Sequence, residues 1–449
     1  MLRGLGIKNI VIGIDGGDFN HIFPYVKEGL LPNFKRLLKN GFYSKLRVTI
    51  PPVTIPSFPC LFSGLSTLDL GYCTFYDPSF GVFSSHLWKE KSIFNNENIR
   101  TFCLNLPSTY PAWNVNGEMI TGLLTPRLSE KMYFPNYLGE FIDQNWIIDG
   151  SNIDEIFKAF ETKKELFLKK IREPFNLLVY IVRVPDCITH HPKYKLGLTQ
   201  NILKDGYIKI DEFLGEILDS NDFDNLFIIS DHGLDTYKYE FNIKRFLEKE
   251  GILFYNTEFL SKLMSLFIKI FGLINRNIFD TTFFHNRFKY YLTRIKGKFG
   301  SKISHEKKKV SLSKSRFLHF YSNYGGIYLS KKEKKLKKYL EIALKKCKYV
   351  ERLIEFDSKY LPDYIIVMKK NILFSVKSSY FVKNHFNSLN HSEIGIFIAY
   401  GKDVLKTKIR EISYLDFVPL LLKLYGIITP PHIKGKIPNI IKERDFIQD

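Results

Sequence analysis

Cysteine is scarce in this sequence and is not arranged for cross-linking. The 449 residues include five cysteines, an odd number scattered along the chain with no CxxC pair. A disulfide framework needs paired cysteines, so the cysteine pattern favours a reducing compartment over a disulfide-linked fold.

Long apolar runs are also missing. The N-terminal run IVIGI is too short for a signal peptide and ends at Asp15. The best membrane candidate, residues 259–274, falls short of the about 18 apolar residues that a span needs. It also carries Lys262 and Lys269. We therefore expect neither a signal peptide nor a transmembrane helix, and a cytoplasmic location.

Acidic residues are few relative to basic ones, which gives a formal net charge of +20. Such a charge is compatible with a nucleic-acid or membrane partner. No nucleic-acid-binding motif is present, however, and Lys, Asn, Ile, Phe and Tyr are abundant throughout, as in a genome-wide bias. We expect no specific nucleic-acid binding, and the sequence does not determine the oligomeric state.

Short β-rich apolar runs alternate with helical patterns along most of the chain. Runs buried on both faces and separated by helices are typical of parallel strands. The pattern predicts an α/β fold with a central, mostly parallel sheet flanked by helices. The predicted strands are 7–15, 175–183, 225–233 and 394–401, and the predicted helices lie within 31–42, 162–174 and 201–220.

The chain exceeds the about 250–300 residues at which single cores stop growing, so a subdomain is expected. Residues 255–312 differ in character, with an amphipathic stretch followed by many lysines and arginines. We predict a helical basic insertion here, within a catalytic domain formed by 1–254 and 313–449. The insertion is a solvated face, a substrate cap or an interfacial helix for peripheral membrane contact.

A proline-rich stretch, residues 47–64, surrounds Thr54. Its prolines at 51, 52, 56 and 59 oppose both a regular helix and central-strand pairing. We predict a rigid bend beside a strand end. The Thr54 hydroxyl on this bend either satisfies a backbone group or is presented to a substrate.

Two pairs of acidic and histidine residues have spacings that suit metal binding. Asp186 and His190 lie four apart, so a helical turn places them on one face, as two ligands of one ion require. Asp231 and His232 end a predicted strand and precede Gly233, which allows close backbone approach.

Asp15 lies at the C-terminal end of the first predicted strand, and His391 precedes the last one. Polar residues that end parallel strands collect at one edge of the sheet, where ligands bind. Three carboxylates and three imidazoles are enough for two ions of zinc or manganese. Two alternatives stay open: an aspartate at a strand end also caps helices, and His385 could replace His391 as a ligand.

In combination, these segments resemble the type I phosphodiesterase/nucleotide pyrophosphatase family of the alkaline phosphatase superfamily, especially its prokaryotic members. The matching stretches run in family order over nearly the whole chain. They are VIGIDGGDFNHI, LPNFKRLLKNG, PPVTIPSFPCLFSG, LPSTYPAWNVNGEMITGLLTP, RVPDCITHH, IISDHGLD, PDYIIV, HSEIGIFIAYGKDV and SYLDFVPLLLKLYGIITPPHIKG.

The resemblance implies an alkaline-phosphatase-like fold and a catalytic site with two divalent ions, zinc or manganese. Thr54 matches the nucleophile, which would form a phosphothreonine intermediate. One ion would be held by Asp15, Thr54, Asp231 and His232, and the other by Asp186, His190 and His391.

The implied activity is hydrolysis of a small phosphoester, most simply a phosphodiester or a nucleoside-type pyrophosphate. The alternatives are a phosphomonoesterase, a phosphonate hydrolase, or a protein that keeps the fold and binds membrane surfaces or glycan phosphates. Phe75 stands where eukaryotic members carry a phosphate-binding asparagine, which leaves nucleotide specificity and that phosphate contact open. The backbone N–H of Ile55 is a substitute donor.

Overall fold

The computed structural model divides by its contacts into two units. The first contains Met1–Thr236 and Asn387–Asp449, and the second contains Tyr237–Phe386. The predicted insertion at 255–312 lies almost wholly outside the described residues, so its helical character and its boundaries stay predictions. The described residues are 6–77, 81–195, 200–250, 252–253, 310–311, 316–320, 322–329, 334–356, 358, 361–376 and 381–443.

A nine-stranded sheet forms the centre of the first unit. In chain order its strands are β1 (Asn9–Ile14), β2 (Phe42–Arg47), β5 (Thr101–Leu106), β6 (Gly117–Thr121), β7 (Tyr133–Phe134), β8 (Leu177–Val182), β9 (Asn225–Ile229), β19 (Ile394–Gly401) and β20 (Glu411–Ser413). Their spatial order is β20-β2-β19-β9-β1-β8-β5-β6-β7. A separate two-stranded ribbon pairs β3 (Tyr76–Asp77) with β4 (Gly81–Val82).

The central strands are parallel, as the sequence predicts. β1 runs parallel to both β8 and β9, with Asn9 opposite Leu177 on one side and Asn225 on the other. The prediction is wrong for β19, which pairs antiparallel with both β9 and β2. An apolar run specifies burial on both faces but not strand direction, so the sequence pattern could not distinguish the two.

Helices pack on both faces of this sheet. They are α1 (Phe19–Lys27), α2 (Pro32–Asn40), α3 (Thr54–Ser63), α4 (Thr67–Leu70), α5 (Ile153–Ile171), α6 (Val184–His190), α7 (Pro192–Lys195), α8 (Gln200–Ser220) and α11 (Phe417–Leu424). Short 3-10 turns occupy Ser85–Leu87, Lys89–Lys91, Ile93–Asn95, Glu130–Met132, Asn136–Phe141 and Tyr414–Asp416.

Residues 47–64 differ from the prediction, because α3 forms in spite of its prolines. The helix has a break at Ile55, whose φ of −113° and ψ of 110° are not helical. Pro59 lacks the N–H that would bond to the carbonyl of Ile55, and at this break such a bond is not required. The prolines therefore shape the first turn of α3 and do not prevent the helix.

Two apolar cores lie on opposite faces of the sheet. Along β8 the side chains alternate, with Val179 and Ile181 in one core and Leu178 and Tyr180 in the other. This alternation explains why the strand reads as a continuous apolar run in the sequence. Among the described residues, no helix has the length and apolar character that crossing a membrane requires.

The second unit has its own sheets and core. Its elements are the later part of β10 (Gly233–Asn242), α9 (Ile243–Lys249), β11 (Ile252–Leu253), β12 (Val310–Ser311), β13 (Arg316–His319), β14 (Tyr324–Tyr328), a 3-10 turn (Lys334–Leu336), α10 (Lys337–Lys346), β15 (Val350–Glu355), β16 (Tyr364–Met368), β17 (Ile372–Ser375) and the first part of β18 (Val382–Ser392). An antiparallel sheet follows the order β13-β14-β16-β15. Its core includes Phe241, Ile327 and Phe374.

Candidate active site

The acidic and histidine residues singled out in the sequence converge at one edge of the nine-stranded sheet. Asp15 follows β1 directly, Asp231 and His232 follow β9, and Asp186 lies in α6 just after β8. His391 precedes β19, and it reaches the same edge because β19 is antiparallel to β9. In a sheet of this kind that edge is the usual ligand site.

One group of potential ligands consists of Asp186, His190 and His391, whose ligand atoms all lie within 4.8 Å of one another. The Nε2 atoms of His190 and His391 lie 3.2 Å and 3.3 Å from Asp186 Oδ1. The two Nε2 atoms are themselves 2.9 Å apart. Three ligand-type atoms thus point at one small volume.

A second group contains Asp15, Asp186 and His232. His232 Nε2 lies 3.4 Å from Asp15 Oδ1 and 3.8 Å from Asp186 Oδ1. Asp231 Oδ2 is 3.5 Å from the same nitrogen. Because Asp186 belongs to both groups, they form one continuous cluster.

The backbone next to Asp15 helps to hold the carboxylates of the cluster in place. Gly16 has a φ of 72°, a left-handed conformation that glycine adopts without strain. This turn lets the Gly16 N–H donate to Asp231 Oδ1 at 3.2 Å. The Asp186 N–H donates to the carbonyl of Asp15 at 3.2 Å, so β1, α6 and the end of β9 are tied together.

Thr54, the first residue of α3, is brought to the same cluster. It is 2% exposed, and its Oγ1 donates to Asp15 Oδ1 at 3.4 Å. The sequence left open whether this hydroxyl satisfies a backbone group or faces a substrate. In the structure it contacts a carboxylate of the cluster.

Two of the imidazoles have a fixed tautomer. The Nδ1 atoms of His232 and His391 lie 3.1 Å and 3.0 Å from the carbonyls of Gly233 and Pro52. A carbonyl oxygen can only accept, so each Nδ1 carries a proton. In the neutral imidazole, the lone pair on each Nε2 is then available to a metal ion in the cluster.

The cluster perturbs the protonation of its members strongly. Burial, together with Asp15, raises the pKa of Asp231 well above its usual value. Burial also lowers the pKa of His391 to about 3, with His232 adding to the effect. For His232, burial is outweighed by Asp231 and Asp15, which raise its pKa to about 10. Burial raises the pKa of Asp186, but the neighbouring histidines outweigh it and hold that pKa well below the usual value.

These residues fit divalent metal ions. Of the buried side-chain atoms that lack a hydrogen-bond partner within the described part of the chain, three lie in this cluster: Asp186 Oδ1, Asp231 Oδ2 and His232 Nε2. A buried polar atom without a partner costs about 1–3 kcal/mol. Carboxylate oxygen and imidazole nitrogen are the donors that zinc and manganese take, so ions here would satisfy all three atoms.

Sequence reasoning missed Arg183, which contacts the cluster directly. Its Nη1 lies 2.5 Å from Asp15 Oδ2, and its Nη2 lies 3.7 Å from Asp186 Oδ2. Its Nε also pairs with Asp149 at 3.1 Å. The available signal was its position, at the C-terminal end of a predicted strand and three residues before Asp186.

Among the other candidate residues, Asp211 and Cys187 make contacts outside the cluster. The side chain of a further candidate is not among the described residues. Asp211 accepts the backbone N–H groups of Asn33 and Phe34 at the start of α2, at 3.1 Å and 2.7 Å. Cys187 donates to Asp149, and burial raises the pKa of its thiol well above the usual value. His385 lies in β18, but its side chain is outside the described residues.

The fold and this cluster define the class of protein: an α/β enzyme with a metal-type site at the ligand-binding edge of a mostly parallel sheet. The chain belongs to the type I phosphodiesterase / nucleotide pyrophosphatase family, whose family model matches residues 9–380. It is therefore a hydrolase that acts on phosphoric ester bonds, in a family that depends on metal ions. The family and the hydrolase class that the sequence motifs predicted are therefore confirmed.

Solved structures of the alkaline phosphatase superfamily share the fold. Murine ectonucleotide pyrophosphatase / phosphodiesterase 5 has a TM-score of 0.58 at 14% identity, covering 97% of this chain and 100% of the murine one. The human protein of the same name has a TM-score of 0.52 at 16% identity, covering 96% and 97%.

A bacterial enzyme is similar to the same extent. Phosphonoacetate hydrolase from Sinorhizobium meliloti 1021, in complex with phosphonoformate, has a TM-score of 0.55 at 12% identity. The match covers 93% of this chain and 96% of the hydrolase. The comparison with curated proteins gave no match.

Proposed function

We propose that this hydrolase cleaves phosphodiesters or nucleoside-type pyrophosphates, with Thr54 as the nucleophile and two divalent ions as cofactors. The observation that carries the proposal is the buried Thr54 hydroxyl, 3.4 Å from Asp15 Oδ1 in the cluster of ligand-type atoms. One ion would be held by Asp15, Thr54, Asp231 and His232, and the other by Asp186, His190 and His391.

The bound ions would lower the pKa of the attacking hydroxyl and stabilise the negative charge of the phosphoryl oxygens. Asp15 Oδ1 orients the Thr54 hydroxyl and is an acceptor within reach of its proton. The bond from Thr54 Oγ1 to phosphorus forms as the bond to the leaving oxygen breaks, which gives a phosphothreonine intermediate that keeps the second ester group of the substrate. Water then cleaves this phosphoester and restores the Thr54 hydroxyl.

The start of α3 supplies a further contact for the substrate. Ile55 follows Thr54 at the break in the helix, and its backbone N–H is our candidate donor to a phosphoryl oxygen. This donor would take the place of the asparagine side chain that Phe75 replaces.

One of the similar structures supports both the nucleophile and the substrate class. It is described as an inactive threonine-to-alanine variant of the murine phosphodiesterase in complex with AMP, with a TM-score of 0.57 at 14% identity. The phosphonoacetate hydrolase supports a second candidate, cleavage of a phosphonate, because it shares the fold to a similar degree. Mixed carboxylate and imidazole ligands favour zinc, with manganese as the alternative.

The nucleophile is tested with Thr54→Ala and Thr54→Ser. We expect Thr54→Ala to abolish turnover of bis(p-nitrophenyl)phosphate while its metal content stays near two ions per chain. Thr54→Ser keeps a hydroxyl and should retain activity. Mass spectrometry of wild-type protein that is acid-quenched during turnover should find a p-nitrophenyl phosphoryl group on residue 54. Wild-type protein that binds no divalent ion would refute the proposal.

The substrate class is tested by a panel of phosphodiesters, pyrophosphates, monoesters and phosphonates, assayed with the same metal-loaded protein. Preference for diesters or pyrophosphates supports the first candidate, and preference for a phosphonate supports the second. Vesicle binding that survives deletion of 255–312 would remove the membrane role predicted for that segment, most of which lies outside the described residues.

A further inference from the structure

Arg183 connects the candidate metal site to a support outside it. The side chain is 10% exposed, and Nη1 lies 2.5 Å from Asp15 Oδ2. On the other side, Nε and Nη2 donate to the two carboxylate oxygens of Asp149, at 3.1 Å and 3.3 Å. Two parallel hydrogen bonds fix the plane of a guanidinium, which the single ammonium of a lysine cannot reproduce.

The loop that carries Asp149 is itself anchored. The carbonyl of the preceding residue, Ile148, accepts a hydrogen bond from Lys163 Nζ at 2.8 Å. The same ammonium donates to Asn105 Oδ1 at 3.0 Å. Lys163 is buried in α5, so a continuous set of polar contacts runs from this helix through the loop and Arg183 to Asp15.

The effect on Asp15 follows from which of its oxygens is occupied. Arg183 contacts Oδ2, while Oδ1 faces Thr54 Oγ1 and His232 Nε2, each 3.4 Å away. A carboxylate with one oxygen held presents the other in a single direction. We propose that Arg183 is a positioning residue that orients Asp15 toward the metal ion and Thr54, and that Asp149 acts through Arg183. This inference rests on the proposed function.

Electrostatic repulsion alone predicts the opposite effect of removing Arg183 on the affinity for the metal ion. A cation near a metal site repels the ion, so removal of Arg183 would tighten ion binding if repulsion were the larger effect. Asp149 pairs with the same guanidinium, however, so the pair presents little net charge to the site. Orientation of Asp15 is then the larger effect, and the two accounts differ in the sign of the change.

The test titrates Zn²⁺ alone into wild-type protein and variants by calorimetry, followed by kinetics with bis(p-nitrophenyl)phosphate. Arg183→Met should weaken the binding of one of the two ions by about 10–100-fold. It should also lower kcat with little change in KM. Arg183→Lys restores the charge without the paired hydrogen bonds and should recover part of the loss. The control is Arg36→Met, which removes an exposed pair with Asp219 and should match wild type.

The role of Asp149 is tested by Asp149→Asn alone and combined with Arg183→Met. If Asp149 acts through Arg183, its substitution weakens ion binding in wild-type protein and adds nothing in the Arg183→Met background. If Asp149→Asn still weakens ion binding in the Arg183→Met background, the inference that Asp149 acts through Arg183 is overturned. Circular dichroism checks folding, and if Arg183→Met does not fold, Arg183→Lys and Asp149→Asn carry the comparison.

The outcomes separate this inference from the proposed function. Unchanged or tighter Zn²⁺ binding by Arg183→Met, with two ions in wild-type protein, overturns the positioning role only. Wild-type protein that binds no Zn²⁺ overturns the proposed function and the inference together.

Discussion

Lys163 places an ammonium group in the protein interior, and its removal should change how stability depends on pH. The side chain is 3% exposed, and its two hydrogen bonds go to Asn105 and the Ile148 carbonyl. Lys163→Met keeps most of the side-chain volume and removes the charge. The two acceptors that it leaves unsatisfied lower stability equally at every pH, so their cost does not affect the pH profile.

The expected magnitude follows from the environment of the ammonium. Burial lowers the pKa of Lys163 to about 8, since the opposing charge of Asp149 does not compensate and Arg183 adds to the effect. The folded pKa lies below the unfolded one, so the unfolded chain binds more protons across this window and stability rises with pH. The full difference is about 3 kcal/mol, of which about 2 kcal/mol is gained between about pH 7 and 9.5.

Urea unfolding at pH 7, 8.5 and 9.5 measures this difference. The free energy of unfolding of wild-type protein relative to Lys163→Met should rise by about 2 kcal/mol over that range. The control is Lys158→Met, which removes an exposed lysine from the same helix and should follow wild type. Parallel profiles for wild type and Lys163→Met would refute the reasoning.

Three further predictions concern the site and its support. EDTA should lower the thermal midpoint and Zn²⁺ should restore it, because the clustered carboxylates and imidazoles lose their shared ions; a midpoint insensitive to EDTA would contradict the metal site. Asp211→Ala should cost about 1–3 kcal/mol in urea unfolding, since the buried N–H of Phe34 loses its acceptor. Gly233→Ala should cost about 1–3 kcal/mol and weaken Zn²⁺ binding, because a Cβ would overlap the Ile394 carbonyl oxygen beside His232. Wild-type stability and affinity in that variant would show that the backbone tolerates the change.

The sequence was sufficient for features that depend on local pattern. Apolar runs located β1, β8, β9 and β19, because strands buried on both faces have few polar positions. The positions of Asp15, Asp186 and Asp231 relative to these strands predicted that they would meet at one edge. The family motifs added the expected nucleophile and ligands, and the family itself is confirmed.

Features that depend on direction and long-range contact needed the structure. The strand before which His391 lies was predicted to be parallel, which by itself would put this residue at the opposite edge of the sheet. It reaches the site because β19 is antiparallel, and strand direction is set by pairing with β9 and β2.

The same limit applies to α3 and to Arg183. Pro59 is compatible with a helix only because the backbone breaks at Ile55, a conformation that residue types alone do not specify. Arg183 resembles any charged residue after a strand until folding brings Asp15 and Asp149 to either side of it. Local sequence determined which residues end the strands, and tertiary packing decided which of their polar atoms meet, because those contacts join positions that are far apart in the chain.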